Sequence, residues 1–194
     1  MKIYTRRGDD GTTGLLYGGR VPKDSAAIDL NGAVDEAQAA LGVARAEADR
    51  GSELDELLIG LERDLWVLMA EVATAPENRH KLTPGVSLVT ADMVSALESR
   101  IDALDERFEM PTEFVVPGQT RTAALLDVAR TVVRRAERHS LAAPEGSQVG
   151  PYLNRLSDLC WTMARWQEGE HLPSRPGGRR PRPTSRDTQR HEEP

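Results

Sequence analysis

Apolar residues recur at helical spacing along most of the chain, and the stretches that carry them are separated by short polar or proline-marked breaks. The clearest is 52–74, SELDELLIGLERDLWVLMAEVAT. Leu54, Leu57, Leu58, Leu61, Leu65, Leu68 and Val72 share one face there, Ser52 stands as N-cap, and Pro76 ends the run. The same spacing predicts helices over 24–49, opened by Asp24 or Ser25, and over 90–108, where Thr90 precedes the stripe Val94, Leu97, Ile101, Leu104 and Phe108. Two more are predicted over 119–141 and over 151–169, with Pro151 suited to a first turn and Gly169 to a stop. No convincing strand pattern lies between them. EFVVPG (113–118) reads as a short extended piece cut by Pro117 and Gly118, and the N-terminal segment as a turn or hairpin. The pattern therefore predicts an all-α five-helix bundle without internal repeats.

Composition fits one helical domain. The 194 residues are 39% hydrophobic but only 4% aromatic, so the core must be built from Leu, Ala, Val and Met. A net charge of −6 argues against nucleic acid as a partner. From Leu172 onward, however, proline, glycine and arginine dominate and apolar residues vanish. The expected division is thus a bundle domain over 1–172 and a basic, disordered tail over 173–194, with no role in turnover. A single cysteine, Cys160, excludes an internal disulfide and a zinc cluster, and reads as a core residue in a reducing compartment. With no apolar stretch approaching a membrane span, the expected location is the cytoplasm.

Against this bland helical background, polar residues cluster in specific places. Asp127, Arg130, Arg134, Glu137 and Arg138 fall on one face of the fourth helix, with Leu125, Val128, Val132 and Ala136 expected opposite. Such a stripe is either a solvated face with internal pairing or a set of guanidinium forks for phosphate or carboxylate. Asn154, Asp158, Trp161 and Arg165 fall on one face of the fifth helix, among Leu153, Leu156, Leu159, Cys160 and Met163. A polar stripe on so apolar a helix must be partly buried, and so must find partners, in either a subunit interface or a ligand site. The opening segment TRRGDDGTTGLLYGGRVPKD (5–24) combines glycines, hydroxyls and basic side chains. Its backbone can turn sharply enough to cradle an anion, although it is no Walker A loop, and a merely flexible terminus is the other reading. ENRH (77–80) and EGEH (168–171) match the Glu-x-x-His spacing of di-iron bundles, but at helix ends, where such a site is not built.

The segments TRRGDDGTTGL, RVPKD, GAVDEAQAALG, FVVPG, ARTVVRRAER and YLNRLSDL together resemble the PduO-type family of ATP:cob(I)alamin adenosyltransferases, in family order from residue 5 to about 165. The resemblance implies a homotrimer of five-helix bundles with active sites between subunits. It implies transfer of the 5′-deoxyadenosyl group of ATP to the cobalt of cob(I)alamin, giving adenosylcobalamin and triphosphate, with Mg²⁺ accompanying ATP and no metal held by the protein directly. Thr5, Arg6, Arg7, Gly8, Thr13, Gly14 and Lys23 match ATP-contacting positions, as do Arg134, Arg135, Glu137, Arg138 and Asn154. Asp35 and Arg130 match a salt bridge across the subunit boundary, and Phe114 the aromatic that closes the lower face of the corrin. Arg134, Asn154 and Phe114 are the residues on which catalysis is expected to depend.

The chemistry so implied agrees with what the residues lack. Cobalt(I) is itself a strong nucleophile, so no catalytic Ser, Cys or His is needed; the protein positions the ribose carbon and neutralises the leaving triphosphate. A cob(II)alamin reductase and an adenosylcobalamin-dependent mutase are the implied partners. Two other readings remain at this stage: a carrier that hands adenosylcobalamin to such a mutase, and a non-catalytic ATP-sensing bundle. Three positions depart from the family pattern: Gln119 where a second Gly is usual, Asn31 before Gly32, and Trp161 in place of Phe.

Overall fold

The computed structural model describes Tyr4 and residues 6–175, and it is mostly helical. The helices are α1 (Ala26–Arg45), α2 (Glu53–Val72), α3 (Ala91–Asp105), α4 (Arg121–His139) and α5 (Val149–Glu168), with 3₁₀ turns at Pro76–Lys81 and Ser140–Ala142. Ser52, Thr90 and Thr120 cap α2, α3 and α4 by accepting the N–H of Asp55, Met93 and Ala123. Ser25 stands at the N-cap of α1 but its hydroxyl makes no capping bond. The fifth helix begins earlier than predicted, at Val149, so Pro151 lies inside the first turn, where its missing N–H costs nothing. Gly169 ends it at φ 70, a left-handed conformation that a residue with a Cβ would resist.

Four short strands add to the helical pattern: β1 (Thr12–Gly14) pairs antiparallel with β2 (Arg20–Pro22), and β3 (Val115–Val116) with β4 (Leu172–Pro173). The first ribbon is the N-terminal hairpin. The second runs past residue 172: Pro173 sits opposite Val115, and the Ser174 N–H donates to the Phe114 carbonyl at 2.7 Å. The rest of the supposed tail, 176–194, lies outside the described residues.

Helix α4 packs against both α1 and α5, α1 also packs on α2, and α3 on α5. Leucines of α2, alanines of α1 and α4, and Leu153, Leu156 and Leu159 of α5 fill the core between them. Because α4 is covered on two sides, its buried face is Ala123, Leu126, Asp127, Ala129, Val133 and Ala136. This corrects the expected face: Asp127 turns inward, and Val128 is 53% exposed. Small residues on α4 let its neighbours approach closely, and the buried Asp127 carboxylate is tolerated because partners reach it there.

Two further buried polar groups hold the frame. Tyr152 donates to Asp64 Oδ2 at 2.8 Å, and burial pushes the phenol's pKa well above its usual value. Glu71 is fully buried at the end of α2, where it accepts from Arg79 at 2.9 Å, from Ser147 Oγ at 2.6 Å and from the Val89 N–H at 2.8 Å. It ties three loops to one helix end. Among the described residues no helix is long and apolar enough to cross a membrane.

Candidate functional site

The opening loop is a built hairpin. Asp10 accepts the Thr12 N–H at 3.0 Å and its hydroxyl at 2.8 Å, and Arg20 Nε donates to the same hydroxyl at 2.9 Å from the opposite strand. Those bonds, first the side-chain and then the backbone one from Thr12, hold the Asp10 carboxyl below its ordinary pKa. The Leu16 N–H donates to Ala73 O at 2.8 Å, which moors the hairpin to the end of α2, and Lys81 lies over the Tyr17 ring at 5.8 Å. At Gly8 a side chain would be crowded: a Cβ there would stand 3.1 Å from Lys23 Nζ and 3.2 Å from Thr12 O, so its neighbours would have to give way. The close approach brings the Lys23 ammonium beside the Gly8 backbone, a cationic cradle of the kind that anions occupy. Thr13 and Gly14 form the strand, and Arg6 turns back at φ 60 with its guanidinium 5.5 Å from the Tyr4 ring centre. Thr5 lies outside the described residues.

On α4, the Arg134 and Arg138 side chains are exposed, and no carboxylate among the described residues pairs with either. Arg138 Nη1 donates to Arg134 O at 3.0 Å, which lays it along the helix. Arg135 turns the other way, into an ion pair with Glu36 of α1. Glu137 Oε1 accepts from Asn154 Nδ2 at 2.7 Å, so α4 and α5 meet in a polar contact beside the Arg134 and Arg138 guanidinium groups. No hydrogen bond or ion pair joins residues 8–23 to Arg134, Arg138 or Asn154.

A cavity of about 550 Å³ opens toward the other end of α4 and α5, lined by the 111–117 segment and by Asp127, Arg130, Trp161 and Arg165. Phe114 stands on its rim with 88% of its surface exposed. The cavity's polar wall is a buried ion network. Arg165, its side chain only 1% exposed, donates to Asp127 Oδ2 at 2.5 Å and to Glu168 Oε1 at 3.1 Å. Its Nε lies 3.0 Å from Glu168 Oε2, a charge contact without the alignment of a hydrogen bond. Arg130 Nε donates to Asp127 Oδ1 at 3.2 Å, and Trp161 covers the Arg165 guanidinium at 5.6 Å. Burial raises the Glu168 pKa against the pull of Arg165. The pairing of Glu168 with Arg165 rests on geometry, both of its oxygens lying against that guanidinium. Cys160, fully buried nearby, is pushed up by desolvation to about 12, so its thiol stays protonated and inert.

Asp35 is exposed on α1 with no ion pair to the described residues, while Arg130 already serves Asp127. The sequence reading missed Arg155, which donates to Asn154 Oδ1 at 2.6 Å. It also missed Glu168 as the partner of Arg165, and strand β4. For Arg155 the signal was one position away from the quoted face, in the same NRLSD segment.

Strand β4 also makes a prediction about Phe114. It holds the wall segment to the end of α5 by the Val115–Pro173 and Val116–Leu172 pairings and the Ser174 bond. A chain ending at Arg175 is expected to turn over like the full chain. One ending at Glu170 should lose about tenfold in kcat/KM, since a few net hydrogen bonds of about 1 kcal/mol fix the segment. Equal activity of the two truncations would remove β4 from the site.

Comparison with known proteins locates this arrangement in a family. The family model described as cobalamin adenosyltransferase matches residues 3–167. The corrinoid adenosyltransferase of Mycobacterium tuberculosis is 41% identical, over 92% of this chain and 95% of that one. The corrinoid adenosyltransferase of Bacillus subtilis is 36% identical over 85% of this chain and 86% of its own length. Among solved structures, a Phe-to-His variant of the PduO-type ATP:corrinoid adenosyltransferase from Lactobacillus reuteri, complexed with cobalamin and ATP, superposes with a TM-score of 0.80. It is 26% identical and covers 90% of this chain and 97% of that one.

Proposed function

The chain belongs to the cobalamin adenosyltransferase family, and from that premise we propose that it transfers the 5′-deoxyadenosyl group of ATP to the cobalt of cob(I)alamin. The cobalt–carbon bond forms as the bond from the ribose 5′ carbon to the α-phosphate oxygen breaks, and triphosphate leaves. One observation carries the reading. The helix pair α4–α5 presents two guanidinium groups, Arg134 and Arg138, that no carboxylate among the described residues pairs with, beside the Glu137–Asn154 contact, and a cavity rimmed by exposed Phe114 farther along the same pair. Triphosphate suits the first surface and a flat apolar macrocycle the second.

The hairpin, with Arg6, Arg7, Gly8, Thr13, Gly14 and Lys23, is the lid over the triphosphate. It reaches Arg134 and Arg138 of a neighbouring subunit, the arrangement that active sites between subunits require. Arg135, held by Glu36, shapes the same boundary. Mg²⁺ enters with ATP. The working assembly is a cytoplasmic homotrimer, supplied with Co(I) by a reductase and serving an adenosylcobalamin-dependent mutase. Leaving-group charge is met by fixed donors, which act most strongly where water is excluded. Positioning two bound substrates supplies the remainder of the acceleration.

Asp35 completes the boundary by pairing with Arg130 of the neighbour. Asp35→Ala is expected to weaken trimer association and activity together, by about tenfold each, as for a desolvated interface charge pair. Sedimentation at several protein concentrations and parallel assays check it; an unchanged trimer with unchanged kinetics would sink the pairing. The activity itself is tested anaerobically with chemically reduced cob(I)alamin, ATP and Mg²⁺. The Co(I) spectrum should vanish with stoichiometric adenosylcobalamin and triphosphate. A folded protein that binds ATP yet leaves Co(I) unalkylated would refute the reading.

A further inference from the structure

We propose that Arg155 is a positioning residue for the ATP site, fixing which way round the Asn154 amide lies and, through it, the Glu137 carboxylate. The inference rests on the assignment of Asn154 and Glu137 to ATP given above. Asn154 Nδ2 donates to Glu137 Oε1 at 2.7 Å, and its Oδ1 accepts from Arg155 Nη2 at 2.6 Å. The two ends of a primary amide are nearly equal in size, so packing cannot choose between its orientations, whereas hydrogen-bond partners can. Turned over, the amide would aim its oxygen at a carboxylate and its NH₂ at a guanidinium. Both contacts would repel. Arg155 therefore fixes the orientation together with Glu137, holding the amide from its oxygen side.

Arg155 is itself held in place. Its Nη1 donates to Asp158 Oδ2 at 2.8 Å, one turn along α5, and its Nε lies 3.8 Å from Glu98 Oε1 on α3. These carboxylates are half exposed, so the ion pairs add little stability. Their consequence is geometric: the guanidinium fork is aimed, and a third helix takes part in aiming it. Glu137 Oε2 receives no hydrogen bond from the described residues. With Oε1 held by Asn154, that second oxygen stands at a fixed place to accept a donor from the nucleotide. Arg sits here rather than Lys because one planar fork must serve an amide oxygen and a carboxylate at once.

The test is calorimetric binding of Mg·ATP to the full chain, with cob(II)alamin affinity measured alongside. Arg155→Met is expected to weaken ATP about tenfold, the equivalent of one charge-assisted hydrogen bond, and to leave cob(II)alamin affinity unchanged. Arg155→Lys keeps a charge for Asp158 and should fall between; it carries the test if the Met variant does not fold. Because Arg155 acts through Asn154, the pair Asn154→Ala with Arg155→Met should bind ATP no worse than Asn154→Ala alone. Losses that add in the double variant would overturn the proposal and make Arg155 merely structural. So would an Arg155→Met protein with parental ATP affinity beside a weakened Asn154→Ala. If Asn154→Ala itself binds ATP normally, the ATP assignment fails and the inference with it.

Discussion

Arg134→Ala is expected to lower kcat by about two to three orders of magnitude, the loss seen when one fixed donor to a developing anion is removed. The melting temperature should not fall. Arg134 is exposed, pairs with no carboxylate among the described residues, and gives its backbone carbonyl to Arg138. Alanine, the better helix former, keeps that carbonyl in place. Its removal should therefore cost the described fold little, and the expected effect falls on ATP binding and turnover. Arg134→Lys separates charge from geometry. If two N–H groups of one fork grip adjacent phosphate oxygens, lysine should recover part of the rate but not most of it. Saturating steady-state assays with parallel thermal unfolding decide the matter. Near-parental turnover in Arg134→Ala would take the residue out of the site.

The same independence from the fold explains why Arg134 was readable in the sequence while its neighbour Asp127 was misplaced. A surface residue needs only the helical period to be assigned to a face. Asp127 needed its partner, Arg165, which lies 38 residues later on another helix. Without that partner an aspartate reads as solvated and Val128 as core; with it, the face turns and Val128 is left exposed. Capping was legible for the opposite reason. Ser52 and Thr90 bond N–H groups three residues away, so the whole interaction lies within one short window. Strands β3 and β4 are two residues each and pair across the length of α4 and α5, which leaves no period to read. Gly8 announced a tight backbone, but only the three-dimensional arrangement placed Lys23 against it. Arg155 escaped because a one-face criterion discards the residue beside the face, although a long guanidinium stem reaches round it.

Phe114→Ala is expected to reduce kcat/KM for the corrinoid about tenfold to a hundredfold, the equivalent of about 1.5–3 kcal/mol for burying one aromatic side chain. Thermal stability should hold or rise slightly. An aromatic ring 88% exposed on a strand-pinned segment gains nothing from the chain's own core. It is held at the rim of the cavity by its backbone, with its side chain left to meet something else. A ring on the lower face of a corrin excludes water and the lower ligand, and alanine can do neither. Phe114→Trp keeps an apolar wall and should retain more activity than alanine. Affinity for Mg·ATP is the control: if the two residues serve different substrates, it is unchanged in Phe114→Ala and weakened in Arg134→Ala. A Phe114→Ala protein that lost ATP affinity and kept corrinoid affinity would move the aromatic wall to the nucleotide. The cavity lined by Trp161 and Arg165 would then need another occupant.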